Sequence, residues 1–392
     1  MLKIVPYVAI LALVSALCLT GAQPLPVAPM PAGVMDDGMP NPEYRIPDGE
    51  LAPDEVVILE AAGDVSDWGH TNLKIAECWK STKGKGVKVL VLDTGADHGH
   101  RDLKNKLKGS KDFTNSRSGA ADVNGHGTHC LGIIGAEENG VGVVGVAPEC
   151  DLYSGKVLGD NGSGLSTWIA AGIRWGIEQD VDVISMSLGS PGADARIHAA
   201  VREATAAGIV VVAAAGNEGP RDGTVGFPGG FPECVCVAAA DSNEKIANFS
   251  SRGPRVDVAA PGVNVRSCYP GDRFATMSGT SMATPYVAGC AALWVAAHPD
   301  VKKADRPAAF RKDATATAKD LAPAGKDNAS GHGFVQPAGF VKAPPKKPDD
   351  PVDPPPPGPD RVVFEPGDLT LPPVLGGRKV RRVILELEPV KP

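Results

Sequence analysis

The sequence predicts an α/β domain with a doubly wound, mostly parallel sheet and helices on both of its faces. Between Trp68 and Val341, short apolar runs at Val87–Leu92, Val181–Ile184 and Ile209–Ala215 are separated by stretches of helical period. The runs are apolar at nearly successive positions, as strands buried on both sides are, rather than strictly alternating with polar residues. Strand and helix signals also follow one another along the chain, the order in which crossover units build a parallel sheet.

Residues 1–22 hold one cation, Lys3, an apolar run from Val8 to Leu19, and small residues at Thr20 and Ala22. They read as a secretory signal peptide, since a membrane anchor needs about 20 apolar residues. Residues 23–67 are rich in Pro, Asp and Met and carry one apolar run, Val56–Leu59; they read as an N-terminal extension, mostly irregular. Residues 68–342 form the main domain. Its run Val87–Leu92 delivers Asp93 to the carboxyl end of a buried strand, where open α/β sheets place their sites. Next comes Asn124-Gly125-His126-Gly127-Thr128-His129, with an imidazole between two glycines and a small-residue helix over Thr128–Ile134. The run Val211–Gly216 delivers Asn217 to another strand end. Ser281 then opens the apolar helical stretch Met282–Ala297, so free amides and the positive end of the helix dipole face its hydroxyl. Pro285 falls in the first turns of that helix. Residues 343–359 are a Pro-rich linker, expected to be stiff, and residues 360–392 a short β-rich C-terminal tail.

The 392 residues are 43% apolar and 22% charged, enough for one large core with accessory segments. The formal charge is -7, and becomes -8 when the signal segment leaves with Lys3. No basic field draws nucleic acid or an anionic membrane surface, so neither is expected as a partner beyond the membrane crossed on export. A monomer is expected. Of eight cysteines, Cys78, Cys130, Cys150, Cys234, Cys236, Cys268 and Cys290 lie outside the signal segment, and an odd number leaves at least one thiol unpaired or intermolecular. Cys234 and Cys236 flank one residue of a strand-like run, point to opposite faces and cannot easily share an ion.

Asp93, His126, Asn217 and Ser281 supply an acid, a base, an oxyanion donor and a nucleophile. Each alone has an ordinary alternative: a capping aspartate, a loop histidine, a turn asparagine. In the order Asp, His, Ser, the segments Asp93-Thr94-Gly95, His126-Gly127-Thr128-His129 and Gly279-Thr280-Ser281-Met282-Ala283-Thr284-Pro285 closely resemble the subtilisin-like serine peptidases. The resemblance covers Trp68 to about Val341. It includes Lys156-Val157-Leu158-Gly159, Gly162-Ser163-Gly164, Ser185-Met186-Ser187-Leu188-Gly189 and Phe249-Ser250-Ser251-Arg252-Gly253-Pro254.

The resemblance implies a secreted serine endopeptidase acting on proteins or peptides. Ser281 would attack, His126 relay the proton, Asp93 hold the imidazole, and Asn217 with the Ser281 amide receive the oxyanion. It implies two backbone edges, Gly162-Ser163-Gly164 and Ser187-Leu188-Gly189, that sandwich an extended substrate. Ala215, Gly216 and Gly226 would line the pocket for a large apolar residue before the cut, with Glu218 at its rim. Ser166 stands where many relatives carry an aromatic residue. Calcium is the expected structural ion, on Asp102, Asn139 and the carbonyls of Glu137, Val141 and Val143; no cofactor is expected for catalysis. Cys130 follows His129 as in the thiol-bearing branches and is read as a small buried hydrophobe. The family's N-terminal calcium ligand has no match, and residues 23–67 are shorter and more Pro-rich than the prodomain of many secreted relatives. A non-catalytic peptide-binding homologue and a carboxylester hydrolase are the alternatives, distinguished by the retained triad and by the paired edges.

Overall fold

A computed structural model describes residues 43–47, 55–57 and 63–342. The signal segment, the Pro-rich linker and the tail lie outside the described residues.

Two short strands come first, β1 (Glu43–Arg45) and β2 (Glu55–Val57), followed by the short helices α1 (Trp68–Asn72) and α2 (Ile75–Trp79). Then come β3 (Lys88–Asp93), β4 (Leu107–Asp112), α3 (His126–Gly135), β5 (Asp151–Lys156), β6 (Ser163–Leu165) and α4 (Ser166–Glu178). The next elements are β7 (Val183–Met186), α5 (Ala195–Ala206), β8 (Val210–Ala214), β9 (Val235–Ala240) and β10 (Val258–Pro261). The chain continues through β11 (Val265–Tyr269), β12 (Arg273–Met277), α6 (Thr280–Ala297) and α7 (Arg306–Ala316).

Seven strands form one parallel sheet in the order β10-β9-β8-β7-β3-β5-β4. The alternation of Cβ direction along a strand divides the core in two. In β3, Val89 and Val91 join a cluster with Val287, Ala288 and Ala291 of α6, whereas Leu90 and Leu92 join Ile169 and Ile173 of α4 and Ala200 of α5. Both faces are therefore covered at the centre of the sheet, which is why β7, β8 and β9 hold so few polar residues, while the edge strand β4 is largely polar. Cys236 belongs to the first cluster and Cys234 to the second, on opposite faces as their spacing required. All seven described cysteines are buried and unpaired.

Strand β3 sits where the strand order reverses, with β5 and β4 on one side and β7 to β10 on the other. Its carboxyl end opens onto the crevice that such a reversal creates. Among the described residues no helix is long and apolar enough to cross a membrane.

Candidate active site

Asp93 closes β3, and its Oδ1 accepts the Thr94 amide at 2.7 Å and lies 2.8 Å from His126 Nδ1. Both side chains are 1% exposed. Burial alone would lower the basicity of His126, but the Asp93 carboxylate outweighs it and holds the imidazole well above its ordinary pKa. With Nδ1–H committed to Asp93, the neutral ring carries its lone pair on Nε2, the tautomer a general base needs. His126 opens α3, and Gly127 behind it lets two loops meet: a Cβ there would come 2.4 Å from the Gly95 carbonyl oxygen.

Ser281 is the second residue of α6, and Pro285 stands four positions on. A proline has no N–H, so the Ser281 carbonyl loses its intrahelical partner. Two groups from outside the helix replace it: Ser187 Oγ donates to it at 2.9 Å and the Cys130 thiol at 3.6 Å. The Ser281 hydroxyl in turn donates to the Ser187 carbonyl at 3.4 Å. Cys130 Sγ also lies 4.0 Å from His126 Nδ1, so this thiol packs between the histidine ring and the backbone of Ser281. Burial pushes the Cys130 thiol up, which keeps it protonated and a donor.

Asn217 stands three positions after the end of β8. Its Oδ1 accepts both the Thr280 amide, at 3.1 Å, and the Thr280 hydroxyl, at 2.9 Å. Both bonds fix the oxygen end of the Asn217 amide at the start of α6. Thr280 drew no attention in the sequence, where it read only as part of the motif around Ser281.

The two edges Gly162-Ser163-Gly164 and Ser187-Leu188-Gly189 face one another across a groove, and the chain's own β1 lies between them. Tyr44 pairs with Gly164 and Arg45 with Ser163 in antiparallel register, and the Ile46 amide donates to the Gly162 carbonyl at 3.0 Å. On the other side Arg45 and Gly189 exchange both backbone bonds, at 3.1 and 2.9 Å. Gly164 lets β6 lie close against the preceding chain, since a Cβ there would stand 2.1 Å from the Val157 carbonyl oxygen. Tyr44, Ile46 and Pro47 are buried while Glu43 and Arg45 are exposed. Tyr44 and Ile46 pack in one cluster with Leu158, Ile169 and Leu188, and the Tyr44 hydroxyl reaches the Gly192 carbonyl at 3.3 Å. The register brings Pro47 opposite Ser187, where it has no N–H to give. The only sequence signal for this strand, within an extension read as mostly irregular, is the alternation Tyr44-Arg45-Ile46.

Beyond Pro47, Ala215, Gly216 and Gly226 lie side by side, with the Gly226 amide donating to the Ala215 carbonyl at 2.9 Å. Ser190 and Phe227 exchange backbone bonds at 3.0 and 2.8 Å and tie this wall to the Ser187–Gly189 edge. Glu218 stays close, its Oε2 accepting the Ser251 hydroxyl at 2.9 Å. Ser166 is buried at the start of α4.

The oxygen-bearing residues expected around calcium also come together. Asp102 is fully buried; its carboxylate accepts the Val143 amide at 2.9 Å and the Asn139 side-chain amide at 3.2 Å, and its carbonyl accepts the Glu137 amide at 2.9 Å. Burial pushes the Asp102 carboxyl up. The Gly140 and Gly142 carbonyls accept the Gly63 and Val65 amides, which ties this loop to the segment before α1. Asp64, unassigned in the sequence, accepts the Asn139 and Gly140 amides on this loop. The donor set is all oxygen and suits a hard cation once the Asn139 amide presents its oxygen toward Asp102.

Comparison with known proteins agrees with this architecture. Residues 84–333 match the Subtilase family model, and the chain belongs to that family. It is a subtilisin-like serine endopeptidase. An intracellular serine protease of Paenibacillus polymyxa is 45% identical over 250 residues, covering 62% of this chain and 77% of that protein. Subtilisin DY of Bacillus licheniformis is 46% identical over 219 residues, covering 55% and 79%. For subtilisin E of Bacillus subtilis (strain 168) the identity is also 46% over 219 residues, covering 55% and 57%.

Proposed function

We propose that the chain is an exported endopeptidase of broad specificity, working through Asp93, His126 and Ser281. The observation that carries this is β1: an extended segment is held on both sides by main-chain bonds, as a substrate strand would be. Ser281 Oγ attacks the scissile carbonyl carbon while His126 Nε2 takes its proton; Asp93 keeps the ring oriented and stabilises the imidazolium. The oxyanion is received by the Asn217 side-chain amide and the Ser281 N–H. The tetrahedral adduct collapses, His126 gives its proton to the leaving amine, and water activated by His126 then releases the acyl group from Ser281.

The wall formed by Ala215, Gly216 and Gly226 carries little side-chain bulk and favours a large apolar residue before the cut. Mapping the cuts in a denatured protein tests this: cleavage after aromatic residues and leucine is expected, and cleavage confined to dibasic sites would contradict it. A protein substrate needs the groove that β1 fills, so β1 must leave before cleavage. Pro47 lacks the donor a substrate would offer Ser187, and this favours a bound strand that is held more readily than it is cut. Export rests on the composition of residues 1–22. Calcium would stiffen the loop 137–143 against Asp102, and a melting temperature unmoved by a chelator would count against it.

A further inference from the structure

Asp122 lies outside every role given above, yet its buried carboxylate, 5% exposed, gathers five donors. Oδ1 accepts the Thr94 hydroxyl at 2.9 Å, the Asn124 amide at 3.0 Å and the Gly125 amide at 2.8 Å. Oδ2 accepts the Thr128 amide at 2.8 Å and the Thr128 hydroxyl at 2.6 Å. One carboxylate thus binds the segment leaving β3 and the first turn of α3, the two pieces of chain that carry Asp93 and His126.

Thr94 completes the link. Its hydroxyl gives its proton to Asp122 and so turns a lone pair toward the Gly127 amide, which donates to it at 2.9 Å. Its own amide donates to Asp93 Oδ1, the same oxygen that His126 Nδ1 meets. The result is a closed circuit: Asp93 carboxylate, His126 ring, Gly127 amide, Thr94 hydroxyl, Thr94 amide and back to Asp93. Buried Lys156 braces it from beneath, with Nζ donating to the Thr94 carbonyl at 2.5 Å and the Ala121 carbonyl at 3.3 Å. No covalent bond shorter than 33 residues of chain joins Asp93 to His126, so their separation is held by such contacts alone.

We propose that Asp122, acting through Thr94, is the positioning residue that sets the distance and angle between Asp93 and His126. It touches neither substrate nor the reacting atoms. Asn at 122 keeps the shape but replaces one acceptor oxygen by an N–H donor that faces amide and hydroxyl donors, which opens the clamp. Val at 94 removes only the hydroxyl link.

The inference rests on the proposed triad, and the experiment separates the two. The full-length parent, Asp122→Asn, Thr94→Val and Thr94→Ser are assayed with one chromogenic peptide, each rate divided by the concentration of sites titrated with a fluorophosphonate. A parent that neither labels nor turns over, and stays so when Tyr44→Ala frees the groove of β1, would sink the triad itself. With an active parent, Asp122→Asn and Thr94→Val should lose at least about 10-fold in kcat per titrated site, with KM within about twofold, because misplacement of a catalytic group by an ångström costs about 10²-fold. The acid limb of their pH profiles should move, and Thr94→Ser should recover most of the loss. A purely structural role would lower the number of titrated sites and leave kcat per site unchanged, and that result would overturn the proposal. Should Asp122→Asn fail to fold, Thr94→Val decides by the same criteria.

Discussion

The Ser187 hydroxyl donates to the Ser281 carbonyl at 2.9 Å, filling the place that Pro285 leaves empty in α6. A residue of the Ser187–Gly189 edge thereby fixes the backbone of Ser281. Ser187→Ala leaves that buried carbonyl to the Cys130 thiol alone, and the cost of an under-satisfied buried acceptor is about 1–3 kcal/mol. We expect a lower denaturant midpoint together with a lower kcat, since the Ser281 hydroxyl moves with its backbone. Urea unfolding and steady-state kinetics on the same preparation check both; an unchanged kcat would mean that Ser187 only stabilises the fold.

On the proposed function, strand β1 would compete with substrate for the groove it occupies. If only the fraction of molecules with β1 released can bind, apparent affinity falls by that fraction. Removing residues 1–47, or replacing Tyr44 by Ala, should raise kcat/KM for a short peptide about 10-fold or more by the same relation. Equal kcat/KM for parent and both variants would show that β1 does not fill the groove in solution.

Asn217→Ala should keep the fold and the groove while losing the oxyanion donor. The expected loss in kcat is about 10²–10³, the size known for such a donor in subtilisin, with little change in KM. The Thr280 amide and hydroxyl lose their acceptor in this variant, so a small stability loss is expected alongside. Turnover equal to the parent's would refute the assignment.

Acidity acts on two histidine environments with opposite sign. His126 is held well above its ordinary pKa and must be neutral to act as base, so the acid limb of kcat/KM should lie on the alkaline side of about 6.5. Its contribution to stability is full below the unfolded pKa and fades as pH rises through the folded one. His70 packs edge-on against Trp79 and Tyr286, and burial lowers its pKa to about 4. Burial likewise lowers His129 to about 3. The unfolded chain takes up these protons first, so stability should fall as pH drops from about 6.5 toward 4. Urea midpoints across that window measure it. His70→Phe should flatten the loss, and an unchanged slope would exclude His70 as a source.

Much of the fold and of the candidate site was legible because both rest on local pattern. Asp93 and Asn217 each end an apolar run, and Ser281 precedes an apolar stretch that can only be a buried helix. The unread parts depend on partners remote in sequence. A three-residue strand such as Glu43–Arg45 has too short a period to register, and it exists because Gly162–Leu165 and Gly189 offer it unpaired edges. Asp122 stood beside a legible histidine, and four of its donors are local, but the Thr94 hydroxyl that ties it to Asp93 arrives only when β3 and α3 meet. Thr280 orients Asn217 across 63 residues of chain, and Asp64 reaches the loop at Asn139 across 75, pairings that no local spacing announces.

The central claim is that Ser281 is an activated nucleophile served by His126. Fluorophosphonate labelling of the chain lacking residues 1–47, followed by peptide mapping, tests it most directly. A single phosphonylated residue, Ser281, is expected, with labelling slowed at least about 10³-fold in His126→Ala. Labelling at another residue, no labelling at all, or an equal rate in His126→Ala would contradict it.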